Sequence, residues 1–144
     1  MYKKIKKILD KKNKTKIVCL TAYSKSIASI LDKFVDIILV GDSMANVLYG
    51  HKNTHKISLK NILQHTSSVK MGVNNSLLVV DMPKGSYQNI KIANKNVKLV
   101  INKTKCDAIK LESNGKNYRI IESLVKKKIP VMGHIGYTPQ FKRN

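Results

Sequence analysis

The chain has 144 residues, which suits one domain, and 42% of them are hydrophobic, enough for a real core. Lys+Arg number 28 against 8 Asp+Glu, a formal charge of +20. The bases are nearly all lysine and run along the whole chain, which points to compositional drift shared with asparagine and isoleucine and away from a nucleic-acid surface, where arginine reads bases.

Ile5, Ile8 and Leu9 recur at helical spacing among lysines, so residues 1–15 are predicted to form a short basic helix covering one end of a core. "KIVCLTAY" (Lys16 to Tyr23) is a strand-like apolar run. "SKSIASILDKF" has helical periodicity, with Ser24 or Ser26 as its cap. "DIILVGDS" is a second strand, and "HKNTHK" a polar turn. "SLKNILQHTSSVKMG" is a helix with a serine start and Gly72 as its stop signal. "SLLVVDMP" is a third strand, followed by a long helix in "NIKIANKNVKLVINKTK". "DAIKLES" is a fourth strand, "NYRIIESLVKKK" a helix, and "IPVMGHIGYTPQ" a fifth strand. Residues 16–144 therefore alternate strand and helix. Continuous Val/Ile/Leu strands, buried on both faces, imply parallel pairing with helices outside. That cadence belongs to a doubly wound sheet or a barrel. A closed barrel needs eight strands and about 250 residues, so a barrel is expected to be incomplete here.

Each strand run ends in polar residues: Thr21-Ala22-Tyr23, Asp42-Ser43, Asp81, Lys110-Leu111-Glu112 and Gly133-His134. In parallel α/β folds these tips share the face where ligands bind. Asp42, Asp81 and Glu112 are hard oxygen donors on successive tips and suit Mg2+. Taken singly, Asp42 is also readable as a turn cap, Asp81 as a strand terminator, and Lys110 with Glu112 as a structural ion pair. The two lie two apart in a strand and face one way, with Leu111 facing the outer helices. His134 is the histidine best placed to meet a substrate, while His65 reads as structural. His51 and His55 stand at i, i+4, but the Gly, Asn and Thr around them read as a loop and carry no zinc site. No nucleotide-binding glycine pattern is present.

Cys19 and Cys106 form no C-x-x-C pair, so neither a disulfide framework nor a zinc-thiolate centre is indicated, and Cys19 is expected to be a small buried hydrophobe. No segment has the length of a membrane span, and the basic start lacks the apolar core of a secretory signal, so the cytoplasm is the expected compartment.

The ordered stretches "TAY", "LVGDS", Gly50-His51, His65-Thr66, "DMP.GSY", "IKLE" and "IPVMGHIGYTPQ" resemble the ketopantoate hydroxymethyltransferase family from about Lys16 to Gln140. The ordered set is highly specific, although each piece is weak. The resemblance implies the first five units of a (β/α)8 TIM barrel of the phosphoenolpyruvate/pyruvate type. It implies hydroxymethyl transfer from 5,10-methylenetetrahydrofolate to 3-methyl-2-oxobutanoate, giving 2-dehydropantoate for pantothenate synthesis. It makes Asp42 and Asp81 ligands of Mg2+, with Glu112 close by and reaching the ion through water. Ser43 and Lys110 would hold the substrate carboxylate, and His134 would line its pocket. Family members assemble as homo-oligomers, often decamers.

Three departures stand out. Lys84 replaces the usual phenylalanine of "DMP.GSY", and Ala45-Asn46 stands where a glycine is usual. The family's general-base glutamate falls on a later strand, beyond Asn144, so no catalytic base is assigned here and the isolated chain is expected to be inactive. The competing readings are another Mg-dependent enolate-forming lyase or mutase of the same superfamily, and a lysine-rich nucleic-acid-binding protein. If the charge is drift, lysines should avoid the strand-tip face apart from Lys110 and Lys84.

Overall fold

The computed structural model describes residues 2–142. Met1, Arg143 and Asn144, which the ranges 1–15 and 16–144 include, lie outside the described residues.

Five strands form one all-parallel sheet in sequential order: β1 (Cys19–Thr21), β2 (Ile37–Val40), β3 (Leu77–Asp81), β4 (Ala108–Glu112) and β5 (Val131–His134). Neighbours in sequence are neighbours in space, as in the wall of a (β/α)8 barrel. Helices α2 (Lys25–Leu31), α4 (Leu59–Lys70), α5 (Ile90–Thr104) and α6 (Tyr118–Lys126) connect the strands.

The period of two divides the strand residues between two cores. Ile38, Val40, Leu78, Val80, Ile109 and Leu111 point to the helices, where they meet Ala28, Ile62, Val69, Val97, Val100 and Leu124. Burying each such Val, Ile or Leu contributes about 1.5–3 kcal/mol, which makes this layer the main source of stability. On the other face, Ile37, Leu77, Val79 and Ala108 form a smaller cluster. Helix α1 (Tyr2–Asp10) covers it with Ile5 and Ile8. Leu9, expected on the same stripe, is exposed, because a nine-residue helix crossing a narrow sheet face buries few positions.

Local chemistry sets the helix starts. Ser24, not Ser26, caps α2 by accepting from Ile27 N–H. Ser58 and Asn61 form a reciprocal capping box on α4, and Asn89 caps α5.

Three expectations are corrected. Gly72 is not a left-handed helix stop, since its φ is not positive. A Cβ there would lie 2.5 Å from Lys25 O and 2.8 Å from Ser29 N, so glycine is needed for α2 to approach the end of α4. Cys19 is exposed, because β1 is an outer strand and its inward face is uncovered; Cys106 is the buried cysteine. β1 is shorter than the predicted run, with Ile17 and Val18 exposed. Ala45-Asn46, the departure from the usual glycine, lies in a one-turn helix, α3 (Met44–Val47), where Ala45 is fully buried and Asn46 donates its amide to His51 O.

Candidate active site at the strand tips

The carboxyl ends of the strands open into a cavity of about 760 Å3. Asp42, Ser43, Asp81, Lys110, Glu112 and His134 all line it, so the structure brings the six sequence-predicted residues together.

Asp81 and Lys110 are register partners on β3 and β4, and both point inward. Lys110 Nζ lies 2.8 Å from each Asp81 oxygen and donates to both. Burial, opposed by Lys110 and helped by Asp42, pushes the Asp81 carboxyl up to about 6. Asp42, just past β2, accepts at Oδ2 from Gln140 Nε2 at 2.8 Å. Glu112 accepts at Oε2 from the Gln140 backbone N–H at 2.9 Å. Burial raises the Glu112 carboxyl against the pull of that N–H, and Asp42 adds to the rise. His134 Nδ1 stands 3.6 Å from Glu112 Oε1, too far for a hydrogen bond, and is buried without a partner among the described residues.

Ser43 shares a hydrogen bond of 2.8 Å with the Tyr23 hydroxyl. Tyr23 is held in turn: His65 Nδ1 donates to its carbonyl at 2.8 Å, and His65 Nε2 shares a hydrogen bond of 2.9 Å with the Tyr49 hydroxyl. A carbonyl only accepts, so His65 Nδ1 carries a proton in this contact. His55 Nε2 lies 3.1 Å from Pro139 O, and Lys84 Nζ stands 3.2 Å from both ring nitrogens of His55. The unusual Lys84 is fastened to His55 and so tied to the loop after β5.

The residues fit a divalent cation by charge. Asp42, Asp81 and Glu112 are each at most 6% exposed, and Lys110 is the one ammonium among them. Three negative charges against one positive leave two uncompensated in a buried place, which is costly without a counter-ion. Among the described residues no group of three or more His, Cys, Asp or Glu side chains is disposed to hold a metal by itself. A pair of carboxylates completed by water and substrate oxygens is the arrangement that Mg2+ favours.

Four residues at this face were given no role from the sequence. Gln140 and Tyr87 are buried polar residues whose side chains bond each other. Lys52 and Lys142 are exposed and line the cavity. That corrects the expectation that lysines other than Lys110 and Lys84 avoid this face: the two lie in irregular segments, where no periodicity says which way a side chain points.

The family model described as ketopantoate hydroxymethyltransferase matches residues 2–144. The chain belongs to the ketopantoate hydroxymethyltransferase family. The 3-methyl-2-oxobutanoate hydroxymethyltransferase of Pelagibacter ubique is 56% identical over 144 residues, covering 100% of this chain and 56% of that protein. The enzyme of the same name from Rhizobium etli is 46% identical over 125 residues, covering 86% of this chain and 46% of its own length. That from Thermosipho africanus is 46% identical over 138 residues, covering 94% and 52%. The chain thus spans about half the length of the curated relatives it matches. Among solved structures, 2,3-dimethylmalate lyase, a PEP mutase/isocitrate lyase superfamily member, superposes with a TM-score of 0.58 at 8% identity, over 81% of this chain and 45% of that one. The superposition shows the fold alone. No helix among the described residues is long and apolar enough to cross a membrane.

Proposed function

We propose that this chain carries the metal- and keto-acid-binding part of a 3-methyl-2-oxobutanoate hydroxymethyltransferase, which moves a one-carbon unit from 5,10-methylenetetrahydrofolate to form 2-dehydropantoate. The observation that carries the reading is three buried carboxylates with one ammonium at the strand tips of a chain matched along nearly its whole length by that family. Asp42 and Asp81 would hold Mg2+, with Glu112 behind them. The ion supplies Lewis-acid polarisation of the keto acid's oxygens, which favours loss of the C3 proton.

The protein's own groups do the rest of the binding. Lys110 presents a fixed positive charge to the substrate carboxylate, and its place against Asp81 keeps it from swinging into solvent. Ser43 adds a hydroxyl that Tyr23 orients. His134, with its Nδ1 turned toward Glu112, lines the same cavity. Lys52 and Lys142 at the rim add positive charge that draws anionic substrates inward. No base for the C3 proton is assigned among these residues.

We also read residues 1–15 as a basic segment, helical over Tyr2–Asp10, that closes the base of the barrel wall, and 16–144 as its first five units. The cytoplasm is the proposed compartment. Assembly into homo-oligomers is proposed on the exposed apolar side chains of Ile27, Ile30 and Phe34 on and just after α2.

The test is a chimera in which this chain replaces the matching part of the Pelagibacter ubique relative. Formation of 2-dehydropantoate that disappears in Asp42→Asn supports the reading. A folded chimera without turnover, or turnover indifferent to Asp42→Asn, contradicts it.

A further inference from the structure

Gln140 lies on a short 3-10 turn (Pro139–Phe141) after β5 and is 1% exposed. An uncharged amide so deep among carboxylates needs a reason, and its bonds supply one. Nε2 donates to Asp42 Oδ2 at 2.8 Å and to Met82 O at 3.0 Å. Oε1 accepts from the Tyr87 hydroxyl, which is itself buried. The backbone N–H donates to Glu112 Oε2 at 2.9 Å. The amide has one workable orientation. A flipped amide would set Oε1 against a carboxylate and a carbonyl, both acceptors, and no proton would lie between them. Both Nε2 protons are committed to the protein, so the amide has none left to offer a substrate.

Gln140 engages one of the two Asp42 oxygens. That fixes the rotation of a carboxylate whose other oxygen stays available to a cation. The same residue restrains Glu112 through its backbone. Asp42, Met82 and Glu112 lie 98, 58 and 28 residues away in sequence, so one residue, through its amide and its backbone N–H, ties the ends of β2, β3 and β4 together. Resting on the proposed Mg2+ site, we infer that Gln140 is a positioning residue: its amide, locked by Tyr87, sets the Asp42 carboxylate for the divalent ion.

The test is Mn2+ binding to the chain, with dissociation constants from titration and the electron paramagnetic resonance line shape of the bound ion. Gln140→Met keeps the volume and removes the donor. Outer partners of metal ligands change affinity by about 10–100-fold when removed, so a loss of that size with an altered line shape is expected. Tyr87→Phe frees only the lock and should cost about 2–10-fold, the value of one hydrogen bond. Circular dichroism and thermal melting report folding separately; a purely structural role would move the melting temperature and leave the affinity of the folded protein alone. Folded Gln140→Met with wild-type affinity overturns the inference. If Gln140→Met does not fold, unchanged affinity in Tyr87→Phe overturns it. Asp42→Asn separates the two claims: if it leaves Mn2+ binding intact, the metal site itself is wrong. If it abolishes binding while the folded Gln140 and Tyr87 variants keep wild-type affinity, the positioning role alone fails.

Discussion

Lys110 Nζ stands 2.8 Å from both oxygens of Asp81, and the two residues face each other as register partners on adjacent parallel strands. The contact is the floor of the strand-tip cavity, and its energetics set what substitution there does. The Asp81 side chain is 3% exposed and that of Lys110 15%. Removing one member of a buried pair leaves the other uncompensated, at about 3–5 kcal/mol. Lys110→Met should therefore destabilise the protein by about 3 kcal/mol, measured by urea unfolding. Asp81→Asn removes a charge that burial and Asp42 oppose, so it should cost clearly less. A larger loss in Asp81→Asn than in Lys110→Met would contradict this account of the floor.

Gly72→Ala tests the packing of α2 on α4. The new Cβ would meet backbone at 2.5 Å and 2.8 Å, at Lys25 O and Ser29 N. Backbone does not yield as a side-chain tip does, so a loss of about 2–3 kcal/mol is expected, at the upper end of overpacking costs. Thermal melting of the variant decides it, and an unchanged midpoint would refute the close approach.

Asp32 gives a dependence on pH away from the cavity. It is buried and accepts backbone N–H groups of Asn74, Asn75 and Ser76 at 3.0, 2.9 and 2.8 Å. Burial pushes its carboxyl up, but the N–H groups of Ser76, Asn75 and Asn74 outweigh that and hold it below the usual carboxylate range. A folded value below the unfolded one, about 3.9, means the stabilisation is full above that pH and is lost as pH falls through the folded value. Unfolding curves between about pH 5 and pH 2 should show a steeper acid loss in the wild type than in Asp32→Asn. Parallel curves would show that the turn does not depend on the carboxylate's charge.

The parallel α/β pattern was legible because fully apolar strands and amphipathic helices leave different periods in the sequence. The strand tips were legible for the same reason. Once "DIILV", "LLVVD" and "AIKLE" are read as strands, alternation and the shared exit face fix where Asp42, Asp81, Lys110 and Glu112 go. Gln140 was not legible. It sits in an irregular segment, its side-chain partners are 53 to 98 residues away, and an amide shows no preference for core or surface until its neighbours are known. A polar residue closing the specific "GYTPQ" ending was the one signal that pointed to it. Gly72 was read as a stop because glycine suits a left-handed cap; the need for close approach arises only when α2 is packed beside it.

The central claim is that these tips bind a keto acid through a divalent ion. Calorimetric titration of the chain with 3-methyl-2-oxobutanoate, with and without Mg2+, tests it most directly. The account predicts heat of binding that requires Mg2+ and vanishes in Asp42→Asn, with no 2-dehydropantoate formed by the 144-residue chain alone when methylenetetrahydrofolate is added. Binding that is indifferent to Mg2+ or to Asp42, or no binding by the folded chain, would contradict it.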